Sequence, residues 1–171
     1  SDEREPMIQG RDRSKTMILG DSGGFQLATG VIKMDWSNAK DPNDPVRTAF
    51  CKKILTWLEH TSDWSMTLDV PAFAAVGKLS ERTGLTEFQD TLDISLLNLD
   101  YFLRNRNPGA TKFLNVLSGS NEENSKEWYD AVKHFSNPSF VQEAYGDETR
   151  TLEGFAFAGI NMKHMYSVLS R

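Results

Sequence analysis

The sequence predicts an α/β fold built on parallel strands, and three observations carry that prediction. Four short apolar runs recur at intervals of about 40 to 50 residues: "MILG" (17–20), "SMTLD" (65–69), "KFLNVL" (112–117) and "GFAFAG" (154–159). Three of the runs end in a small or acidic residue, and "KFLNVL" is followed at once by Ser118. Between the runs lie patterns with helical spacing, and strand, loop and helix repeated in this way is the signature of βαβ units.

The first helix is predicted to open at "NDPVR", where Asp44 can cap the free N–H groups and Pro45 suits the first helical position. Val46, Ala49, Phe50, Ile54, Trp57 and Leu58 then share one face. The second is predicted from Thr86, with Gln89 completing a capping box, and its apolar stripe runs through Phe88, Leu92, Leu96, Leu99 and Phe102 until "NPG" stops it. The third is predicted from Ser120 with Glu123 in the same arrangement; it buries Trp128, Val132 and Phe135, and "HFSNPS" breaks it. A fourth is predicted near Asn161. Three lengthened loops (29–44, 70–85 and 137–153) hold four of the twelve glycines and three of the six prolines.

At 171 residues, 39% of them hydrophobic and 25% charged, the composition is that of a globular domain. A single cysteine, Cys51, excludes an internal disulfide and any cysteine-rich zinc site, so a reducing, cytoplasmic setting is expected. No apolar run approaches the roughly 18 to 20 residues that span a bilayer, and the N-terminal stretch is too charged for a secretory signal. The net charge of −5 argues against a strongly basic nucleic-acid module, although a local patch could still contact phosphates.

In parallel α/β proteins the reactive groups gather where strands end and loops begin. Here those ends read Asp21-Ser22-Gly23-Gly24, Asp69-Val70-Pro71, Ser118-Gly119-Ser120 and Ala158-Gly159-Ile160. A plainer reading stands beside each. Asp21 before Ser-Gly-Gly and Asp69 before Val-Pro can both serve turn geometry, and Ser118 to Ser120 can cap a helix. The glycines lack the Lys-Ser/Thr of a P-loop. His60, His134 and His164 share no metal-ligand spacing and are expected at helix ends, so no metal is expected. The helix aromatics Trp57, Phe102 and Trp128 have core spacing, whereas Phe25, after the glycine pair, could either cover a flat ligand or join the core.

"DSGGFQ" (21–26) at a strand end resembles the signature of the tRNA-guanine transglycosylase family, the queuine and archaeosine tRNA-ribosyltransferases, which also includes enzymes acting on DNA. Later segments keep the family's order: "MTLDVPAFAA" (66–75) looks like its strand with a substrate-reading aspartate, "FLNVLSGSNEENSKEWYDAV" (113–132) like its V-Q-G segment, and "GFAFAGI" (154–160) like its G-Y-A-I-G-G-L segment. The resemblance implies a (β/α)₈ TIM-type barrel, of which residues 17–171 would supply four βα units after a charged arm, 1–16. It also implies exchange of guanine for a 7-deazaguanine at an N-glycosidic bond in tRNA or DNA. Asp69 would accept two hydrogen bonds from the N1–H and exocyclic amine of the base. Asp21 would be the catalytic carboxylate, holding or passing a proton. Ser22, Gly23, Gly24, Phe25, Gln26, Ser118, Gly119, Ala158, Gly159 and Ile160 would line the base site, with Phe25 stacking on the ring and backbone N–H groups near Gly159 meeting the base carbonyl.

Three departures from the family pattern matter. Ser118 stands where the family has glutamine, Ala158 replaces the first glycine of a pair, and the nucleophilic aspartate and zinc ligands would fall beyond Arg171, so no residue here takes those roles and no cofactor is expected within the chain. Four units do not close a barrel that takes about 200 to 250 residues, so an oligomer or a partner chain is expected to cover the open edges. Two alternatives stay open: a non-catalytic subunit that completes a barrel with another chain, and an unrelated α/β hydrolase using Asp21 and Asp69 as an acid/base pair.

Overall fold

The computed structural model describes residues 12–157, a mixed α/β arrangement with a four-stranded, wholly parallel sheet. Strands β1 (Leu19–Gly20), β2 (Trp64–Met66), β3 (Lys112–Leu117) and β4 (Gly154–Phe157) lie side by side in chain order. Register pairs Leu19 with Trp64, Ser65 with Phe113, and Leu117 with Phe157. Because all strands run the same way, their C-terminal ends share one rim. The predicted strands at 17–20 and 65–69 are shorter than expected. After β2 the Asp69 N–H turns back to the Thr67 carbonyl (2.9 Å), which takes the chain out of the ladder.

Six α-helices fill the connections among the described residues: α1 (Gly24–Thr29), α2 (Pro45–Thr61), α3 (Gly77–Thr83), α4 (Phe88–Asn105), α5 (Glu122–Val132) and α6 (Pro138–Tyr145). Helix α2 opens as its sequence predicts, with the Asp44 carboxylate accepting from the N–H groups of Val46 and Arg47. Its buried face differs. Arg47, Cys51, Leu55 and Leu58 point inward, while Ala49 and Trp57 are exposed. The rotation follows from Arg47, whose guanidinium donates to Asn98 Oδ1 (2.9 Å) and to the carbonyls of Asp41 and Pro42 (3.1 Å each), so its charge is solvated by protein.

Helix α4 begins one step later than the sequence predicts. Its capping box joins Glu87 and Asp90 rather than Thr86 and Gln89, and Asp90 also holds Lys40 at 2.7 Å. Asn121 caps α5, accepting from the Asn124 N–H at 2.8 Å. Helices α3 and α6 fall where loops are predicted, and α1 lies between the first strand end and the predicted loop 29–44, where no element is predicted; α6 is nucleated by Asn137 and Pro138 and stopped by Gly146 in the left-handed region. The expected helix near Asn161 lies outside the described residues.

The core forms where α2, α4 and α5 cover the sheet, with Leu58, Phe102, Phe113, Leu117 and Trp128 fully buried. Phe102 and Phe113 meet edge to face at 5.4 Å. A bidentate ion pair from Arg106 to Glu153 (2.7 and 3.1 Å) ties the end of α4 to the start of β4; Arg106 also donates to the Thr111 and Thr151 carbonyls. No helix among the described residues is long and apolar enough to cross a membrane.

Candidate functional site

A pocket of about 240 Å³ opens on the rim where β1, β2 and β3 end. The segment after β1 contributes Asp21, Ser22, Gly24 and Phe25, the segment after β2 contributes Thr67, Asp69, Pro71 and Phe73, and β3 and the residue after it contribute Val116 and Ser118.

In the first segment each residue of "DSGG" has a distinct part. Asp21 Oδ1 accepts from the Gly23 N–H (2.9 Å), which closes a turn, and Gly23 occupies the left-handed region at φ 83°. Gly24 then starts α1 against the backbone of Asp69, where any Cβ would stand 2.3 Å from that carbonyl oxygen. The plainer turn reading of Asp21 therefore holds for one oxygen, while its side chain also lines the pocket. Ser22 is buried at the pocket wall, and Phe25 is 60% exposed at its mouth. Gln26 is half-buried and not among the lining residues, and its buried Oε1 has no hydrogen-bond partner among the described residues.

Beyond Thr67, whose N–H still bonds the Leu114 carbonyl of β3 (2.9 Å), the segment after β2 leaves the sheet, and side chains satisfy its backbone. Ser95 of α4 bonds the Val70 N–H (2.8 Å), Asn98 donates to the Leu68 carbonyl (2.9 Å), and Ser118 Oγ accepts from the Ala72 N–H (2.9 Å). The Ser118 hydroxyl keeps its own proton to donate, and no acceptor among the described residues takes it. Gly119 allows the loop to close on α5, since a Cβ there would lie 2.8 Å from the Ser125 nitrogen.

Asp69 is 7% exposed and held from three sides. Its Oδ1 accepts from Thr67 Oγ1 (2.7 Å) and Asn115 Nδ2 (2.9 Å), and its Oδ2 from the Val116 N–H (2.8 Å). Burial pushes its pKa up to about 7, against these three bonds, which favour the charged form. A carboxylate has about four acceptor positions, so one on Oδ2 stays open. That narrows the expectation of two bonds from Asp69 to a base edge: with the internal partners in place it can make one.

Several residues that the sequence does not single out belong to this site. Phe73, 42% exposed, meets Phe25 edge to face at 5.9 Å, so two aromatic rings stand at the mouth. Asn115 lies behind Asp69, and Trp128, expected only as packing, donates its indole N–H to Asn115 Oδ1 (2.9 Å). The one visible signal is an asparagine inside the apolar run of β3. Ala158, Gly159 and Ile160 lie outside the described residues, as does His164. His60 lies in the last turn of α2, and His134 packs between Phe135 and Phe140. No group of three or more His, Cys, Asp or Glu among the described residues is placed to hold a metal ion.

Chemically, the pocket offers an exposed carboxylate, a buried carboxyl that titrates near neutrality, a hydroxyl donor and two aromatic faces. That set suits a flat, polar heterocycle of about the size of one base. Comparison of the chain with protein-family models, with curated proteins and with solved structures finds no match.

Proposed function

We propose that this chain carries the base-recognition side of a site that exchanges guanine for a 7-deazaguanine in a nucleic acid. The observation that carries the reading is the pocket itself, where Asp21 and Asp69, from neighbouring strand ends, line one cleft with two aromatic rings at its mouth. The resemblance of "DSGGFQ" and the later segments to tRNA-guanine transglycosylases supports the same assignment. In this reading the open Oδ2 position of Asp69 accepts from the N1–H of the base, Ser118 donates to a base acceptor, and Phe25 and Phe73 flank the ring. Adenine, which lacks an N–H at that position, is refused. Asp21 is the carboxylate that holds or passes a proton while the glycosidic bond changes.

The sheet order supports a sector of a (β/α)₈ barrel. Strands in strict chain order are what such a barrel requires, whereas a doubly wound sheet, ordered 3-2-1-4-5-6 or 2-1-3-4-5, brings its fourth or third strand back beside the first. Calorimetry with 7-deazaguanine, guanine and adenine tests the proposal: binding of the first two and not of adenine is expected, and equal binding of all three, or of none, would defeat it.

A further inference from the structure

We infer that Asn115 is a positioning residue that makes the pocket face of Asp69 an acceptor, and thereby selects ligands presenting a ring N–H. The inference concerns the same pocket and takes its ligand from the purine reading above. Two groups beside Asp69 and Asn115 have a hydrogen-bonding sense that cannot change. The Trp128 indole only donates, so the Asn115 oxygen must face it and the Asn115 amide nitrogen must face Asp69. The Val116 backbone N–H also only donates, so Oδ2 of Asp69 must accept as well. Thr67 fits between them in one sense, accepting from Asn115 (3.1 Å) and donating to Asp69. Asn115, Thr67 and Trp128 are fully buried, so water does not supply a substitute for any of these bonds.

Neither oxygen of Asp69 therefore faces an internal acceptor, and the place left for a proton is the open position of Oδ2. When that position carries a proton it donates; when empty, it accepts from a ligand N–H. Each internal donor to Asp69 favours the empty, charged form against burial. Asp21 is the other ionisable side chain lining the pocket, and the groups around Asp69 are uncharged: Gly24 of α1, Asn115 of β3 with Trp128 of α5 behind it, and Ser95 of α4 on the adjoining Val70. Asn115 does not line the pocket and acts through Asp69.

The test uses Asn115→Leu, which removes the donor, and Asn115→Asp, which keeps the shape should the first variant fail to fold. In Asn115→Asp the new carboxyl shares a proton with Asp69. Carbon-13 NMR of the Asp69 carboxyl, assigned by its loss in Asp69→Asn, is followed against pH without ligand. A hydrogen bond to a charged group is worth about one to two pH units, so the Asp69 midpoint is expected to rise by that amount in both variants. The affinity for 7-deazaguanine should fall at neutral pH and recover as pH rises through the new midpoint. An unchanged Asp69 midpoint in the folded variants, or a loss of affinity that no pH restores, overturns the inference. Should wild-type protein show the expected titration and bind no 7-deazaguanine, the purine reading fails, while the midpoints still decide the role of Asn115.

Discussion

The backbone of Gly24 rests against the backbone of Asp69, so close that a methyl group on Gly24 would stand 2.3 Å from the Asp69 carbonyl oxygen. This contact joins the end of β1 to the end of β2 and sets the floor of the pocket. Gly24→Ala must push the two segments apart. A loss of roughly 1 to 3 kcal/mol is expected, as for other overpacked sites, read as a lower urea midpoint at unchanged slope.

Asp69 gives the protein a specific pH signature. Its carboxyl titrates at about 7 in the fold against 3.8 for the free group, so the folded state holds the proton more tightly than the unfolded chain. The stability this group contributes is fully present below about pH 4 and is lost as pH rises toward about 7, at up to ~1.4 kcal/mol per pH unit. Asp69→Asn removes that dependence, and it also sets an amide donor against either Val116 N–H or Asn115. The variant is expected to be less stable than wild type, by a margin that widens as pH falls from 7 toward 4. Thermal melts of both proteins across that range measure it, and a constant margin would contradict a raised Asp69 pKa.

Phe25 and Phe73 are exposed, so they contribute little to the core. Replacing either by alanine is expected to change stability by less than about 0.5 kcal/mol. Loss of a stacking face should weaken 7-deazaguanine binding by roughly 1 to 3 kcal/mol per ring. Melting temperatures and calorimetric affinities on the same samples separate the two effects.

The Arg106–Glu153 pair predicts the opposite pattern, stability without binding. The Arg106 side chain is 1% exposed, and Glu153 also accepts from the Phe113 N–H at 2.7 Å, so one pair fixes α4, β3 and β4 together. Glu153→Gln leaves a buried guanidinium without its counter-charge and is expected to cost about 3 to 5 kcal/mol in chemical denaturation.

Much of this architecture is legible in the chain. The limits of β3 match the run "KFLNVL" to the residue, and Asp44-Pro45 marks the start of α2 by a cap that depends on neighbours only two or three residues away. The gathering of Asp21, Asp69 and Ser118 on one rim follows from parallel strands whose ends are polar. What escapes is set by partners distant in sequence. Arg47 turns α2 inward because Asn98 awaits it 51 residues later, which no periodicity of apolar residues reports. Asn115 reads as a flaw in an apolar strand until Trp128 and Asp69 are brought to either side of it. Helix α6 carries its own signals in Asn137, Pro138 and Gly146, but its eight residues make too short a pattern to stand out from a loop.

Backbone amide NMR during titration with 7-deazaguanine tests the purine pocket most directly. Shifts concentrated at Ser22, Gly24, Phe25, Phe73 and Val116, on the three converging strand ends, are the expected result. Shifts confined to the outer surfaces of α2 and α4, or no shift at saturating ligand, would contradict it.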